Sequence, residues 1–234
     1  MSPGTRLYLW DIDGTLVLYR GVGRRAAEAA FREVFALPDP ASKTRGVALA
    51  GSTDPKILRS MAIACDVAEA DFEARQAELR RIYLGHLQRE VAAFQGDPVL
   101  RGAREILAAL AADPGVKLGL LTGNFEPAAK IKLDPVGLGG FFATGGFGDD
   151  HEDRRIVASV ARERCAAHHR IEPAPSEVFV VGDTIHDVDC ARAHGFRAIG
   201  VCTGHTGRSE LEAAGADLVL DDLLDPRAPF ARRG

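Results

Sequence analysis

The stretch Leu7-Tyr8-Leu9-Trp10-Asp11-Ile12-Asp13-Gly14-Thr15-Leu16 decides the fold. Leu7–Trp10 is too short an apolar run for an ordinary helix and reads as a strand buried on both faces. It delivers two carboxylates, Asp11 and Asp13, and the turn residue Gly14 to its carboxyl end, which is where open α/β sheets bind ligands. Carboxylates this close repel each other, and a divalent cation, or a split of acid and base roles between them, sustains the pair. A plain acidic strand-to-loop turn is the alternative.

The same pattern recurs along the chain. Val116–Leu121, Val178–Val181, Ala198–Val201 and Leu218–Leu220 are short apolar runs, mostly followed by Gly, Asp or Thr. Alanine-rich amphipathic stretches, Ala103–Ala112, Ile156–His168 and Asp187–His194, lie between them with the length and spacing of crossover helices. The alternation predicts an α/β fold, a doubly wound parallel sheet of Rossmann-like type. From Gly23 to Arg89 it fails: helical patterns at Arg24–Phe35, Pro55–Ala64 and Ala70–Arg89 follow one another without a strand. This segment reads as an inserted α-helical cap domain, residues 19–94, in a core made of residues 1–18 and 95–234. The hinges fall after Leu16 and at Phe94–Pro98, where Gln95, Gly96, Asp97 and Pro98 interrupt helical pattern. Asp225–Gly234 reads as a frayed tail.

Hydrophobic residues at 46% and charged residues at 26% are ordinary for a globular chain, which excludes a disordered or fibrous reading. A formal charge of −4 argues against nucleic acid as the partner, since phosphate backbones call for a basic face. A small diffusible ligand fits better. There is no apolar run of about 18 residues and no signal-like segment before Leu7, so the expectation is a cytoplasmic protein with no membrane partner. Cys65, Cys165, Cys190 and Cys202 form no CxxC pair and read as free thiols in a reducing compartment.

Two further strand ends carry chemistry. Val116–Leu121 runs into Thr122-Gly123-Asn124 and a helix expected from Glu126, with Pro127 suited to its first turn. A hydroxyl, a glycine amide and a carboxamide at a helix start make a phosphate cradle, or simply a helix-capping turn. Val178–Val181 runs into Gly182-Asp183-Thr184-Ile185-His186-Asp187. Asp183 is placed to ligand a metal, and Asp187 to support that shell or to cap the next helix.

Taken in order, Asp11-Ile12-Asp13-Gly14-Thr15-Leu16, Thr122-Gly123-Asn124 and Gly182-Asp183-Thr184-x-x-Asp187 resemble the first, second and fourth motifs of the haloacid dehalogenase superfamily. The helical insertion after the first motif resembles the phosphoglycolate phosphatase-like branch, and the likeness spans nearly the whole chain. It implies a magnesium-dependent phosphatase that hydrolyses a small-molecule phosphomonoester through an aspartyl-phosphate. Asp11 is then the nucleophile and Asp13 the acid/base, with Thr122, Gly123 and Asn124 on the phosphoryl group. Magnesium is held by Asp11, Asp13 through its backbone carbonyl, and Asp183, with Asp187 supporting. The presence of Asp13 places carbon–halogen hydrolysis below phosphate hydrolysis, because the superfamily's dehalogenases lack an aspartate there.

The third motif of the family supplies a lysine, and here the sequence departs from it. Gly145–Arg155 contains no lysine, so the basic role falls to Arg154 or Lys132, and less readily to Arg155. In the cap, Gly51-Ser52-Thr53-Asp54 resembles the loop that such caps present to substrate, with Ser52 and Thr53 as contacts or as a helix cap. Arg45 and Lys56 are within sequence reach of an anionic substrate or are merely solvated. The expected partner is a phosphate ester, the expected assembly a monomer or homodimer. A sugar phosphomutase of the same superfamily and a non-catalytic phosphate-binding protein are the alternative functions.

Overall fold

The computed structural model describes residues 5–228. Its sheet comprises β1 (Arg6–Trp10), β2 (Val116–Leu121), β3 (Gly145–Gly146), β4 (Val178–Gly182), β5 (Arg197–Val201) and β6 (Leu218–Leu220). All neighbours are parallel, in the order β3-β2-β1-β4-β5-β6. The winding reverses at β1, since β2 lies on one side and β4 on the other, and a crevice opens at such a switch point. Register brings the three strand ends level: Trp10 sits opposite Leu120 of β2 and Val181 of β4. Asp11, Thr122 and Asp183 therefore leave the sheet at one edge.

Both faces of the sheet are covered, so its strands read as continuous apolar runs rather than alternating ones. Leu7 and Leu9 pack with Val157, Val180, Val188 and Leu211 on one face. The helices behind these contacts are α7 (Arg154–His169), α8 (Ile185–Ala193) and α9 (Arg208–Ala214). Tyr8, Trp10 and Ile12 belong to the cluster on the other face, with α5 (Ala103–Ala111) and α6 (Glu126–Leu133). That cluster continues into the insertion, where α1 (Val22–Phe35), α2 (Pro40–Thr44), α3 (Asp54–Ala64) and α4 (Glu69–Ala92) form the cap. Helix α1 packs along α4 and buries Phe31, Leu79 and Leu87 completely. The chain enters and leaves the cap side by side: the Leu18 amide donates to Pro98 O at 2.8 Å and the Leu100 amide to Leu16 O at 2.9 Å.

The departures from sequence expectation have local causes. Strand β3 consists of two glycines, with no side chain to make a pattern. Helix α2 is one short turn, with Pro40 at its start and the Asp39 carboxylate accepting from the Ser42 amide at 3.3 Å. Helix α7 begins at Arg154, ahead of its first apolar residue, because Asp153 caps it through the Arg155 amide. The expected tail is anchored as far as it is described: Asp225 accepts from the Asp221 amide at 3.2 Å and the Arg227 amide at 3.0 Å. The rest of that tail lies outside the described residues.

Truncating Phe31 to alanine at the α1–α4 seam is expected to lower stability by about 3–5 kcal/mol through transfer and cavity terms. Urea unfolding checks this, since a variant within about 1 kcal/mol of wild type would mean that the seam collapses around the cavity.

Candidate active site

Asp11 leaves β1 with its amide on Val181 O at 2.9 Å, and its side chain is buried. Buried Arg154, the first residue of α7, reaches across with one nitrogen, Nη2. That atom lies 3.2 Å from Asp11 Oδ1 and 2.6 Å from Asp187 Oδ1. Asp187 uses its other oxygen to accept from the amide and hydroxyl of Thr184, at 3.0 and 2.6 Å. It thus braces the start of α8, in keeping with the capping role open to it in the sequence, and also pairs with Arg154. Asp183 accepts from the Thr15 hydroxyl at 3.4 Å and the His205 amide at 3.3 Å. Gly14 has φ +86°, and a Cβ there would fall 2.5 Å from the Asp183 carboxylate, so only glycine lets the first turn close over the Asp183 loop.

Asp13 occupies a different environment. Its side chain is 45% exposed, and its Oδ2 accepts from Lys132 Nζ at 2.6 Å and Asn124 Nδ2 at 2.8 Å. Lys132, buried on α6, also donates to Asn124 Oδ1 at 2.6 Å. Thr122 Oγ1 accepts from the Asn124 amide at 3.3 Å and from its side chain at 2.8 Å, which leaves the hydroxyl proton to donate elsewhere. The two cations proposed as alternatives for one role are therefore both at the site, on different aspartates. Arg155 is not there. It pairs with Asp153 at 2.7 Å on the surface.

Crowding sets the electrostatics. Burial, and then the neighbouring Asp187 carboxylate, push the Asp11 carboxyl well above its ordinary range, and Arg154 opposes the shift. The same two causes raise Asp183 to about 7. Burial opposes the charge on Arg154, but the Asp187 and Asp11 carboxylates outweigh it and hold the guanidinium firmly protonated. Oxygens of Asp11, Asp183 and Asp187 all lie within 4.8 Å of one another. Fully ionised, three carboxylates against one arginine would leave two negative charges uncompensated in a buried, all-oxygen cluster, and a hard divalent cation matches that donor set.

A cavity of about 590 Å³ joins this edge to the cap and includes Asp11, Asp13, Thr122, Gly123, Asn124 and Asp183 in its wall. That is the size of a small-molecule site. From the cap loop Ser52 lines it, whereas Thr53 is buried with its hydroxyl on Glu152 O at 3.3 Å. Exposed Arg45 and Lys56 take no part in the wall. Sequence reasoning missed Tyr83 and named Asp54 only as the last residue of the cap loop, without a role; both line the cavity. Asp54 is pushed up to about 6 by burial, against the nearby Lys132 charge and the Phe125 amide. An acidic residue at the start of a helix gives no sign that it points inward; the signal that existed was its place directly after Ser52-Thr53.

A family model described as a haloacid dehalogenase-like hydrolase matches residues 5–195. The phosphoglycolate phosphatase of Pseudomonas putida is 27% identical over 225 residues, covering 95% of this chain and 79% of its own. Among solved structures, a predicted phosphoglycolate phosphatase from Haemophilus somnus superposes with a TM-score of 0.71 at 20% identity, over 97% of this chain and 95% of that one. A β-phosphoglucomutase from Clostridium difficile gives a TM-score of 0.73 at 14% identity, over 94% and 92%. These structural likenesses establish the fold that the two enzymes share.

Two outcomes follow from the packing and the charges. A Cβ at Gly123 would meet Ser52 O at 2.1 Å, so Gly123→Ala is expected to lower stability by about 1–3 kcal/mol, read as a shifted urea midpoint. With its folded pKa near 6, Asp54 keeps a proton that the unfolded chain loses near 4, so its contribution to stability falls as pH rises through that window. Asp54→Asn should therefore gain on wild type between pH 4 and pH 7, by on the order of 2–3 kcal/mol. A stability difference independent of pH would contradict the assignment.

Proposed function

We propose, on the premise that the chain belongs to the haloacid dehalogenase-like hydrolase family, that it hydrolyses a small phosphomonoester through an aspartyl-phosphate on Asp11. The observation that carries this reading is the unlike treatment of two aspartates two residues apart. Asp11 is buried against Arg154 and two further carboxylates, while Asp13 lies half-exposed in the cavity wall between Lys132 and Asn124. Groups held in such different surroundings are suited to different steps. The name of the Pseudomonas putida relative supports a phosphate ester as the substrate. The free cysteines among the described residues are compatible with a cytosolic setting. No helix among those residues is long and apolar enough to cross a membrane.

In this reading an Asp11 oxygen attacks phosphorus in line, the bond from phosphorus to the ester oxygen breaks, and Asp13 protonates the departing alkoxide. Water then attacks the phosphoryl group on Asp11, giving its proton to Asp13, and phosphate leaves as the carboxylate re-forms. The Thr122 hydroxyl, the Gly123 amide and Asn124 hold the equatorial oxygens. Arg154 stays charged throughout and holds the Asp11 carboxylate toward the cavity. Residues 19–94 act as the cap that closes the site to water. Magnesium would be held by the Asp11 and Asp183 carboxylates and the Asp13 carbonyl, with Asp187 in support. When bound it neutralises charge on the nucleophile and the phosphate.

Phosphate release from a panel of small phosphomonoesters, with and without magnesium, tests the reading. Magnesium-dependent release in wild type should vanish in Asp11→Asn and Asp13→Asn while both variants keep the fold by circular dichroism. Turnover persisting in a clean Asp11→Asn preparation would remove the nucleophile assignment, and isomerisation of a hexose phosphate without free phosphate would favour a mutase. Arg154→Met should reduce kcat by about 100-fold or more, the scale of losing one donor to a charged centre. Lys132→Met should affect the leaving-group step, so its loss should shrink with a good leaving group such as p-nitrophenolate. Equal losses on both classes of ester would contradict the separate roles of the two cations.

A further inference from the structure

Helix α6 lacks a cap of its own. Its N-cap position is Phe125, whose side chain offers no acceptor, although the first amides of a helix need partners from outside it. The partners come from elsewhere in the chain. Asp54, the first residue of cap helix α3, accepts from the Phe125 amide at 2.8 Å, and Asp149 accepts from the Glu126 amide at 2.6 Å. The Asp54 amide in turn donates to Gly123 O at 2.7 Å. One cap residue thus grips the backbone on both sides of Asn124. Two more cap residues close the grip from α4. The Tyr83 hydroxyl donates to Asp54 at 3.4 Å and its ring meets Phe125 edge-on, while the Arg80 guanidinium lies 4.8 Å from the Phe125 ring centre and pairs with Asp149 at 2.6 Å.

We infer that Asp54 is a positioning residue: it sets the phosphate-holding loop Thr122–Asn124 from the cap, so that docking of α3 and completion of the phosphate site are one event. The inference rests on the proposed function for its reading of that loop. Its physical content is local. The Asn124 side chain bridges Lys132 and Asp13, so whatever fixes the backbone at Gly123 and Phe125 fixes the aim of Asn124 and the Gly123 amide together. Tyr83 is raised well above its ordinary range by burial and then by Asp54, so it remains a donor to that carboxylate at any working pH. Burying a carboxyl group is unfavourable unless its acceptors are used, and both oxygens of Asp54 are.

The test compares wild type, Asp54→Ala and Asp54→Asn in three measurements: the dissociation constant for inorganic phosphate by calorimetry, kcat on a phosphomonoester, and hydrogen exchange at the Phe125 amide. Alanine should weaken phosphate binding by about tenfold or more, as expected for losing a hydrogen bond to a charged acceptor, lower kcat, and expose the Phe125 amide. Asparagine, whose side-chain oxygen can accept the same bond, should stay within about threefold of wild type. A merely structural role would lower the folded fraction without changing the phosphate affinity of the molecules that remain folded. Wild-type affinity in Asp54→Ala, or asparagine failing as badly as alanine, overturns the inference. Should the alanine variant not fold, Arg80→Met opens the other side of the grip, and unchanged phosphate affinity and Phe125 protection there overturn it equally. A wild type that binds phosphate but releases none from any ester would overturn the proposed function instead, with the contrast between variants still deciding this inference.

Discussion

Everything at the carboxyl edge of the sheet answers to one constraint, the crowding of acidic groups at the end of the central strand. Asp11, Asp183 and Asp187 share a buried volume in which burial and the Asp187 carboxylate raise the energy of charge on the other two. Arg154 compensates only one of those charges. A pair or triad buried this way is weak evidence for stability, because desolvation offsets much of the Coulombic gain. Its donor set is better understood as one whose charge a divalent cation could balance. The parallel sheet makes the crowding possible, since level strand ends bring residues separated by most of the chain into one cluster.

Much of this was legible in the sequence because buried parallel strands announce themselves as short apolar runs. Val116–Leu121 and Leu218–Leu220 coincide with their strands for that reason. Strand β3 was invisible because two glycines carry no pattern, and its pairing is decided by the neighbouring β2 backbone. The ends of helices were less legible than their middles: α7 starts at Arg154 because Asp153 caps it, and a hydrophobic pattern cannot see a cap. The same blindness hid what Asp54 contacts, since the amide it accepts from lies 71 positions away.

The third-motif question shows where sequence reasoning stops for a physical reason. Arg154 and Lys132 were both in reach along the chain, and spacing gave no ground to choose between them. In the fold the choice dissolves, because the carboxylates they serve are different. Arg154 lies deep, bridging Asp11 and Asp187 through one nitrogen, while its Nε is buried without a partner among the described residues. Lys132 is buried to the same degree but serves the half-exposed Asp13 and Asn124.

That division follows from what each side chain is. A guanidinium is weakly hydrated for a charged group and stays protonated under strong burial, which suits a position enclosed by two carboxylates. An ammonium is a compact point charge with three donors, which suits bridging a carboxylate and a carboxamide. Exchanging the two residues would place a more strongly hydrated charge between the buried Asp11 and Asp187 carboxylates, and would ask a planar fork to do the work of a point donor. With Arg154 committed to the buried acids, the positive charge beside Asp13 comes from another element, Lys132 on α6, the helix that begins just after the Thr122–Asn124 turn.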